Sequence, residues 1–127
     1  MIAYKLVLRF NKKYESITAA GNATVYYKKK RINYPPEFLQ KLGYGLCCFA
    51  TEAAAIKYYE RTCKVEDIRL WMVEGEKTKL LPFLFLCDLQ QGIVTPNCQS
   101  FPKGTIMLKS VKFIKEVKIN EQRFNFI

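Results

Sequence analysis

The stretch that decides the fold is residues 43–75, GYGLCCFATEAAAIKYYERTCKVEDIRLWMVEG. Its apolar run at residues 46–50 predicts a short strand that is covered on both faces. Thr51 follows at the position of an N-cap, where its hydroxyl accepts a backbone N–H of the first helical turn. Strong helix formers come next, so we expect a helix over about 52–63. The stretch therefore predicts a strand, a capped helix and a second strand.

The side-chain pattern of this helix and of the following strand predicts how the two pack. One helical face is apolar and comprises Ala55, Ile56, Tyr59 and Cys63, whereas the opposite face carries Lys57, Glu60 and Arg61. At residue 68 the period changes to two, which is typical of a strand. Its two faces comprise Ile68, Leu70 and Met72 on one side and Arg69, Trp71 and Val73 on the other. We therefore expect the helix to lie with its apolar face on a sheet.

Strand patterns dominate the rest of the chain. They occupy residues 2–10, 14–18, 23–28, 80–87 and 105–119, with a short helix at 36–42 and a loop composition at 88–102. Within residues 2–10 one face comprises Ile2, Tyr4, Leu6, Leu8 and Phe10, and the other comprises Lys5, Val7 and Arg9. Pro82 favours an edge strand or an irregular buried segment for residues 80–87. The mixed phase of residues 105–119 indicates a bulge or a sheet buried on both faces at one end. The sequence predicts one α+β domain, residues 1–127, in which an antiparallel or mixed sheet of about five to six strands carries one main helix on one face.

The composition excludes several kinds of chemistry. The chain has no histidine, and therefore lacks the commonest general base and metal ligand. Its five cysteines form no C-x-x-C pair, which favours buried thiols in a reducing compartment such as the cytoplasm. No phosphate-binding glycine loop, zinc spacing or nucleophile elbow is present. We expect no metal, no cofactor and no membrane-spanning segment.

The charge balance points to anionic partners. Lys and Arg number 21 and Asp and Glu number 11, for a formal net charge of +10. Such a balance favours nucleic acid, a nucleotide or an acidic protein surface. The alternative, which stays open, is that lysines solvate a small sheet protein and protect its edges.

One stretch interleaves basic and aromatic residues, and it supplies most of the candidate binding residues. These are Tyr26, Tyr27, Lys28, Lys29, Lys30, Arg31 and Tyr34. Lysines neutralise phosphates and tyrosines stack on bases, so the stretch is a candidate nucleic-acid site. A continuous strand would distribute the three lysines over both faces, which favours the plainer interpretation of a solvated strand end. Arg69 and Trp71 share a strand face and form a second candidate platform for a base or ribose, with a half-exposed core tryptophan as the favoured alternative.

Three signatures together resemble a group of small uncharacterised α+β proteins of viruses, phages and microbes. The first is AYKLV at residues 3–7, and the second is GLCCF at 45–49 followed by an alanine-rich helix ending in Tyr58-Tyr59. The third is PKGT at 102–105 leading into VKFIKEV at 111–117. The resemblance implies a small accessory protein of a virus or mobile element, working in the host cytoplasm if viral. It implies no catalytic or ligand-binding residues.

Three functions are consistent with these features. The leading one is a non-enzymatic accessory protein that captures an anionic ligand or partner. The second is a nucleic-acid-binding protein that uses residues 26–34. The third is a small transferase or hydrolase without histidine, for which Glu74 and Glu76 would be the paired carboxylates and Cys48 the candidate nucleophile. A buried structural thiol and a solvated turn are the favoured interpretations of those residues. The oligomeric state stays open, with a homodimer as one option.

Overall fold

The computed structural model describes residues 1–16, 25–61, 67–78, 84–88, 93–97 and 103–119. Its elements are β1 (Ile2–Phe10), β2 (Lys13–Ser16), β3 (Tyr26–Tyr27), β4 (Ile32–Asn33), α1 (Glu37–Lys41), β5 (Leu46–Phe49), α2 (Glu52–Arg61), β6 (Ile68–Glu74), β7 (Leu84–Asp88), β8 (Ile93–Asn97), β9 (Thr105–Leu108) and β10 (Val111–Val117). Some of the predictions concern residues outside the described part, namely Cys63, Cys98, Pro82, the strand residues 17–18 and 23–24, and residues 120–127.

All strand pairs in the described residues are antiparallel, and they form two sheets. The larger sheet has eight strands, of which six follow the order β3-β2-β1-β6-β10-β4. Strand β5 pairs with β9 over four residues and with β1 at a single position, Tyr4 opposite Phe49. The smaller sheet is the pair β7-β8. The architecture is therefore α+β and mostly antiparallel sheet.

The unit at residues 43–75 has the predicted structure. Helix α2 follows β5, and the hydroxyl of Thr51 accepts a hydrogen bond from the backbone N–H of Ala54 at 3.1 Å. Ala55 and Tyr59 are buried, and Ile56 packs against the same core. Strand β6 alternates as predicted, with Leu70 in the core under the helix and Val73 in the core on the opposite sheet face. Local signals were sufficient here because cap, helix face and strand period agree with one another.

The predicted strand number was wrong, and the structure has two short helices in place of one main helix, the first of them within the predicted residues 36–42. The described residues contain ten strands and two helices, because several predicted single elements are divided by turns. A turn at residues 28–31 separates β3 from β4, and residues 109–110 separate β9 from β10. The predicted loop at 88–102 contains β8, whose Pro96 lies in a two-stranded sheet where proline is tolerated at an edge. The predicted bulge is confirmed, since the register of β10 on β6 shifts between Phe113 and Lys115.

Both faces of the larger sheet are buried, and this changes the interpretation of β1. Helix α2 covers one face, where Leu6 is buried. The other face buries Ala3 and Val7 together with the aromatic side chains of Tyr14, Tyr27 and Phe113. Ile2 and Phe10, which share the strand face of Leu6, are exposed because they lie at the two ends of the strand. Lys5 lies on the second buried face and is only 5% exposed.

Candidate anion-binding site

Four lysines meet where the β1–β2 turn approaches the chain leaving β3. The pairing of β2 with β3 places Tyr14 opposite Tyr27. The β1–β2 turn and the turn at residues 28–31 therefore adjoin the same end of this strand pair. A cleft of about 480 Å³ lies there, lined by Lys12, Lys13, Tyr14, Tyr26, Tyr27, Lys28 and Lys29. The sheet thus concentrates charges that are far apart in the sequence.

Among the described residues, no carboxylate lines this cleft. The ion pairs among the described residues lie elsewhere, between Lys41 and Glu37, Arg69 and Asp67, Arg69 and Glu116, and Lys109 and Glu76. A further cleft of about 200 Å³ mixes Lys115 with Glu52 and Glu116 and so has no single sign of charge. Like charges that face a common concavity without counter-charges create a positive potential that attracts anions. The 480 Å³ cleft is therefore the candidate site.

The turn that carries Lys12 is conformationally costly for a lysine. Asn11 and Lys12 connect β1 to β2 as a two-residue turn, with φ angles of 50° and 63°. Two-residue hairpins of this geometry prefer glycine at the second position, since a side chain in the left-handed region costs about 1 kcal/mol or more. The chain places a cation where glycine would be more stable. Such a local cost is characteristic of functional positions.

Lys29 is held at the cleft by aromatic rings. Its Nζ lies 4.8 Å from the centroid of the Tyr14 ring and 5.3 Å from that of Trp71. Trp71 in turn stacks on Phe113 at a centroid distance of 5.2 Å. Cation–π contacts fix the position of an ammonium group without neutralising its charge. Lys29 is therefore ordered and still available to an anion.

The side chain of Asn33 fastens the turn at residues 28–31. Its Oδ1 accepts a hydrogen bond from the backbone N–H of Lys28 at 2.7 Å. Its Nδ2 donates to the carbonyl oxygens of Lys28, Arg31 and Val111 at 3.0, 3.0 and 3.2 Å. Asn33 is buried, and a buried amide that makes all these bonds resists displacement. It ties the backbone of the turn that carries Lys28 and Lys29 to β10.

Lys5 is a buried cation beneath the cleft. Its Nζ donates to the carbonyl oxygen of Cys47 at 2.6 Å and lies 5.0 Å from the centroid of the Tyr27 ring. The carbonyl is accessible because β1 and β5 pair only at Tyr4 and Phe49. Burial by itself lowers the pKa of Lys5, but Tyr27 and the Cys48 and Cys47 thiols outweigh it and hold that pKa above its usual value. A positive charge therefore lies behind Tyr27.

The structure brings together some of the predicted residues and not others. Tyr26, Tyr27, Lys28 and Lys29 line the cleft. Lys30, Arg31 and Tyr34 are exposed nearby along the chain but do not line it. The predicted scattering of the lysines over two strand faces does not occur, because residues 28–31 form a turn. The sequence interpretation missed Lys12, Lys13, Tyr14 and Lys5, and the signal for the first two was the Asn-Lys-Lys turn.

The second predicted platform is already occupied by protein groups. The guanidinium of Arg69 contacts Asp67 at 2.7 Å and Glu116 at 3.5 Å. Its hydrogen bond holds the pKa of Asp67 below the usual value. Trp71 is engaged with Phe113, Tyr14 and Lys29. Its Nε1 is buried without a hydrogen-bond partner in the described structure. Arg69 and Trp71 therefore contribute less to an open anion site than the lysine cleft does.

The residues considered for catalysis, Cys48, Glu74 and Glu76, lie in surroundings typical of residues with a structural role. Cys48 is 1% exposed, and burial raises the pKa of its thiol to about 11, so the reactive thiolate is scarce at neutral pH. Glu76 Oε1 contacts Lys109 Nζ at 3.2 Å on the surface, and Glu74 is exposed. These surroundings are those of a buried thiol and a solvated turn.

Comparisons of the chain with family models, with curated proteins and with solved structures find no match. Neither helix in the described part of the chain has the length and apolar character needed to span a bilayer. The site's own chemistry is therefore the basis for a functional proposal.

Proposed function

We propose that this protein is a non-enzymatic binding protein that captures a phosphate-bearing anion in the lysine–tyrosine cleft. One observation carries the proposal: four lysines and three tyrosines line a single cleft, and no carboxylate is among its lining residues in the part of the chain that the structure describes. The cations come from two chain segments, so their convergence is a property of the fold and not of local composition. The resemblance to small viral and microbial proteins supports an accessory role, in the cytoplasm of the host if the protein is viral.

The surroundings of the cleft favour binding over simple solvation. Surface lysines that only solvate a sheet are free to move apart, whereas the Nζ of Lys29 lies over two aromatic rings and the backbone of Lys28 is hydrogen-bonded to Asn33. Because the ammonium group of Lys29 and the backbone of the turn are positioned before an anion arrives, less conformational entropy is lost on binding. The buried charge of Lys5 adds to the potential from below, where the dielectric constant is low.

The proposal predicts a loss of anion affinity that depends on position and not on net charge. The double variant Lys28→Ala/Lys29→Ala should bind inorganic polyphosphate roughly 10- to 100-fold more weakly than the wild type, because each charge-assisted contact contributes about 1 kcal/mol or more. Isothermal titration calorimetry at low salt measures this. The matched control is Lys57→Ala/Lys112→Ala, which removes the same charge from exposed sites outside the cleft. Equal losses in the two double variants would contradict the proposal.

A second prediction separates stability from binding at Lys12. Replacing Lys12 by glycine should increase the free energy of unfolding by up to about 1 kcal/mol, because glycine adopts the left-handed conformation without steric cost. The same change should weaken polyphosphate binding severalfold through the loss of one cation. Urea denaturation and calorimetry measure the two effects. A variant that is stabilised but binds as well as the wild type would show that the turn is not part of the site.

A further inference from the structure

We infer that the anion bound in the cleft is a single-stranded nucleic acid, with an unpaired base stacked on Tyr26 and the adjoining phosphates on the lysines. The inference rests on the proposed function and names its ligand. It depends on three features of the described structure: a free aromatic ring, the size of the cleft, and a basic path leading out of it.

Tyr26 is the free ring. Tyr26 is 62% exposed, whereas Tyr14 and Tyr27 are each 5% exposed. Those two rings pack against Trp71 and Phe113, at centroid distances between 5.6 and 6.3 Å. Tyr26 lies opposite Glu15 on the short edge strand β3. Tyr26 presents apolar surface to water among the residues that line the cleft with the four lysines, and an exposed ring beside cations suits a ligand that is both flat and negatively charged.

A nucleotide has that combination of properties, and other anions do not. Single-stranded nucleic acids are bound by basic grooves with aromatic side chains on which bases stack, because every base has an apolar face. Inorganic polyphosphate would contact the lysines but leave Tyr26 unused. An acidic peptide segment would satisfy the charges but supplies no planar ring of the required polarity. A duplex keeps the faces of its bases stacked on one another, so they are not available to a tyrosine.

The cleft has the size of a nucleotide site and continues along the chain. Its volume of about 480 Å³ lies within the range of small-ligand pockets, roughly 300–1,000 Å³, and so suits one or two nucleotides and not a duplex. Beyond it, Lys30 and Arg31 are exposed on the turn held by Asn33. They extend the positive surface in the direction of the chain. A strand that enters the cleft therefore meets further cations outside it.

Fluorescence anisotropy with labelled oligonucleotides of roughly 10 residues tests the inference, since known sites of this type span about 4–16 nucleotides. Oligo-dT and oligo-U serve as the DNA and RNA probes, and a hairpin duplex serves as the comparison. We expect the single strands to bind more tightly than the duplex. Tyr26→Ala should weaken single-strand binding roughly 5- to 150-fold, which corresponds to the loss of one stacked base. Tyr26→Phe should retain binding, because the ring face is preserved.

Two controls make the outcome specific. Tyr34→Ala removes an equally exposed tyrosine, 55% exposed, that does not line the cleft, and it should leave binding unchanged. Polyphosphate should bind wild type and Tyr26→Ala with the same affinity, because it has no bases. If Tyr26→Ala bound oligonucleotides as well as the wild type while Lys28→Ala/Lys29→Ala lost polyphosphate, the nucleic-acid inference would be overturned and anion capture would stand. If neither variant lost any ligand, both would be overturned.

Discussion

Replacing Gly75 by alanine should lower the free energy of unfolding by about 3 kcal/mol, a large effect for a single substitution. A Cβ at this position would overlap the backbone carbonyl oxygen of Ser110 and press on Leu108 Cδ1 at 3.2 Å. Neither group has room to withdraw, because the neighbouring Lys109 N–H donates to the Glu76 carbonyl at 2.7 Å. Urea denaturation followed by circular dichroism measures the loss, and a melting temperature lower by roughly 10–20 °C should accompany it.

Gly43→Ala is the matched control for this prediction. Gly43 has a φ of 85°, and its N–H closes the end of α1 on the carbonyl of Gln40 at 3.0 Å. Alanine there meets a conformational cost of about 1–2 kcal/mol, which comes from the left-handed backbone. The Gly75 variant should therefore be distinctly less stable than the Gly43 variant. Equal stabilities of the two variants would show that Gly75 is not in close contact with the backbone of Ser110, in the connection between β9 and β10.

Alkaline pH should destabilise the protein from about pH 9 upward. Burial raises the pKa of the Cys48 thiol from 9.0 to about 11, and burial also raises the pKa of Tyr27 and Cys47. The folded chain therefore keeps protons that the unfolded chain releases. The stabilisation is complete below pH 9 and is lost as the pH rises through the folded-state pKa. For Cys48 alone the loss between pH 9 and 11 amounts to about 3 kcal/mol.

The test is the free energy of unfolding by urea at successive pH values, measured under reducing conditions. Cys48→Ala should be less stable than the wild type at pH 7, because it leaves a small cavity in a packed core. Its stability should nevertheless decline less steeply between pH 9 and 11, since one titrating group has been removed. Parallel curves for the two proteins would contradict the assignment of a buried neutral thiol at Cys48.

The parts of the fold that sequence predicts are those whose signals are local. The cap at Thr51, the apolar face of α2 and the period of β6 lie within a few residues of the groups that they organise. The division between β3 and β4 is different in kind, because the turn at residues 28–31 is held by the amide of Asn33 and a carbonyl on β10. The hydrogen bond from Asn33 to the Val111 carbonyl joins residues that are 78 positions apart. A contact over that separation leaves no periodic pattern in the sequence. The strand number was therefore underestimated.

Lys5 illustrates a second limit. Its position in an alternating strand predicts a solvated lysine, and long charged side chains are rarely fully buried without a partner. The partner is the backbone carbonyl of Cys47, which is available because β5 leaves β1 after a single paired position. Backbone carbonyls carry no sequence signature. The burial of Lys5 could be found only from the register of the two strands.

The candidate site was half predictable for a related reason. Tyr26, Tyr27, Lys28 and Lys29 were identified because basic and aromatic residues alternate there. Lys12 and Lys13 come from a different hairpin and join the site through the pairing of β2 with β3. The cleft therefore has four lysines, of which the alternating stretch supplies only two.

The salt dependence of oligonucleotide binding is the most direct test of the cleft as an anion site. With four lysines engaged, a plot of log affinity against log salt concentration for oligo-dT should have a slope of about −2.8, so that affinity falls roughly 50-fold from about 50 to about 200 mM salt. Lys28→Ala/Lys29→Ala should reduce the slope to about −1.4, and Lys57→Ala/Lys112→Ala should leave it at the wild-type value. If the two double variants flatten the slope equally, or neither changes it, the cleft does not bind the anion.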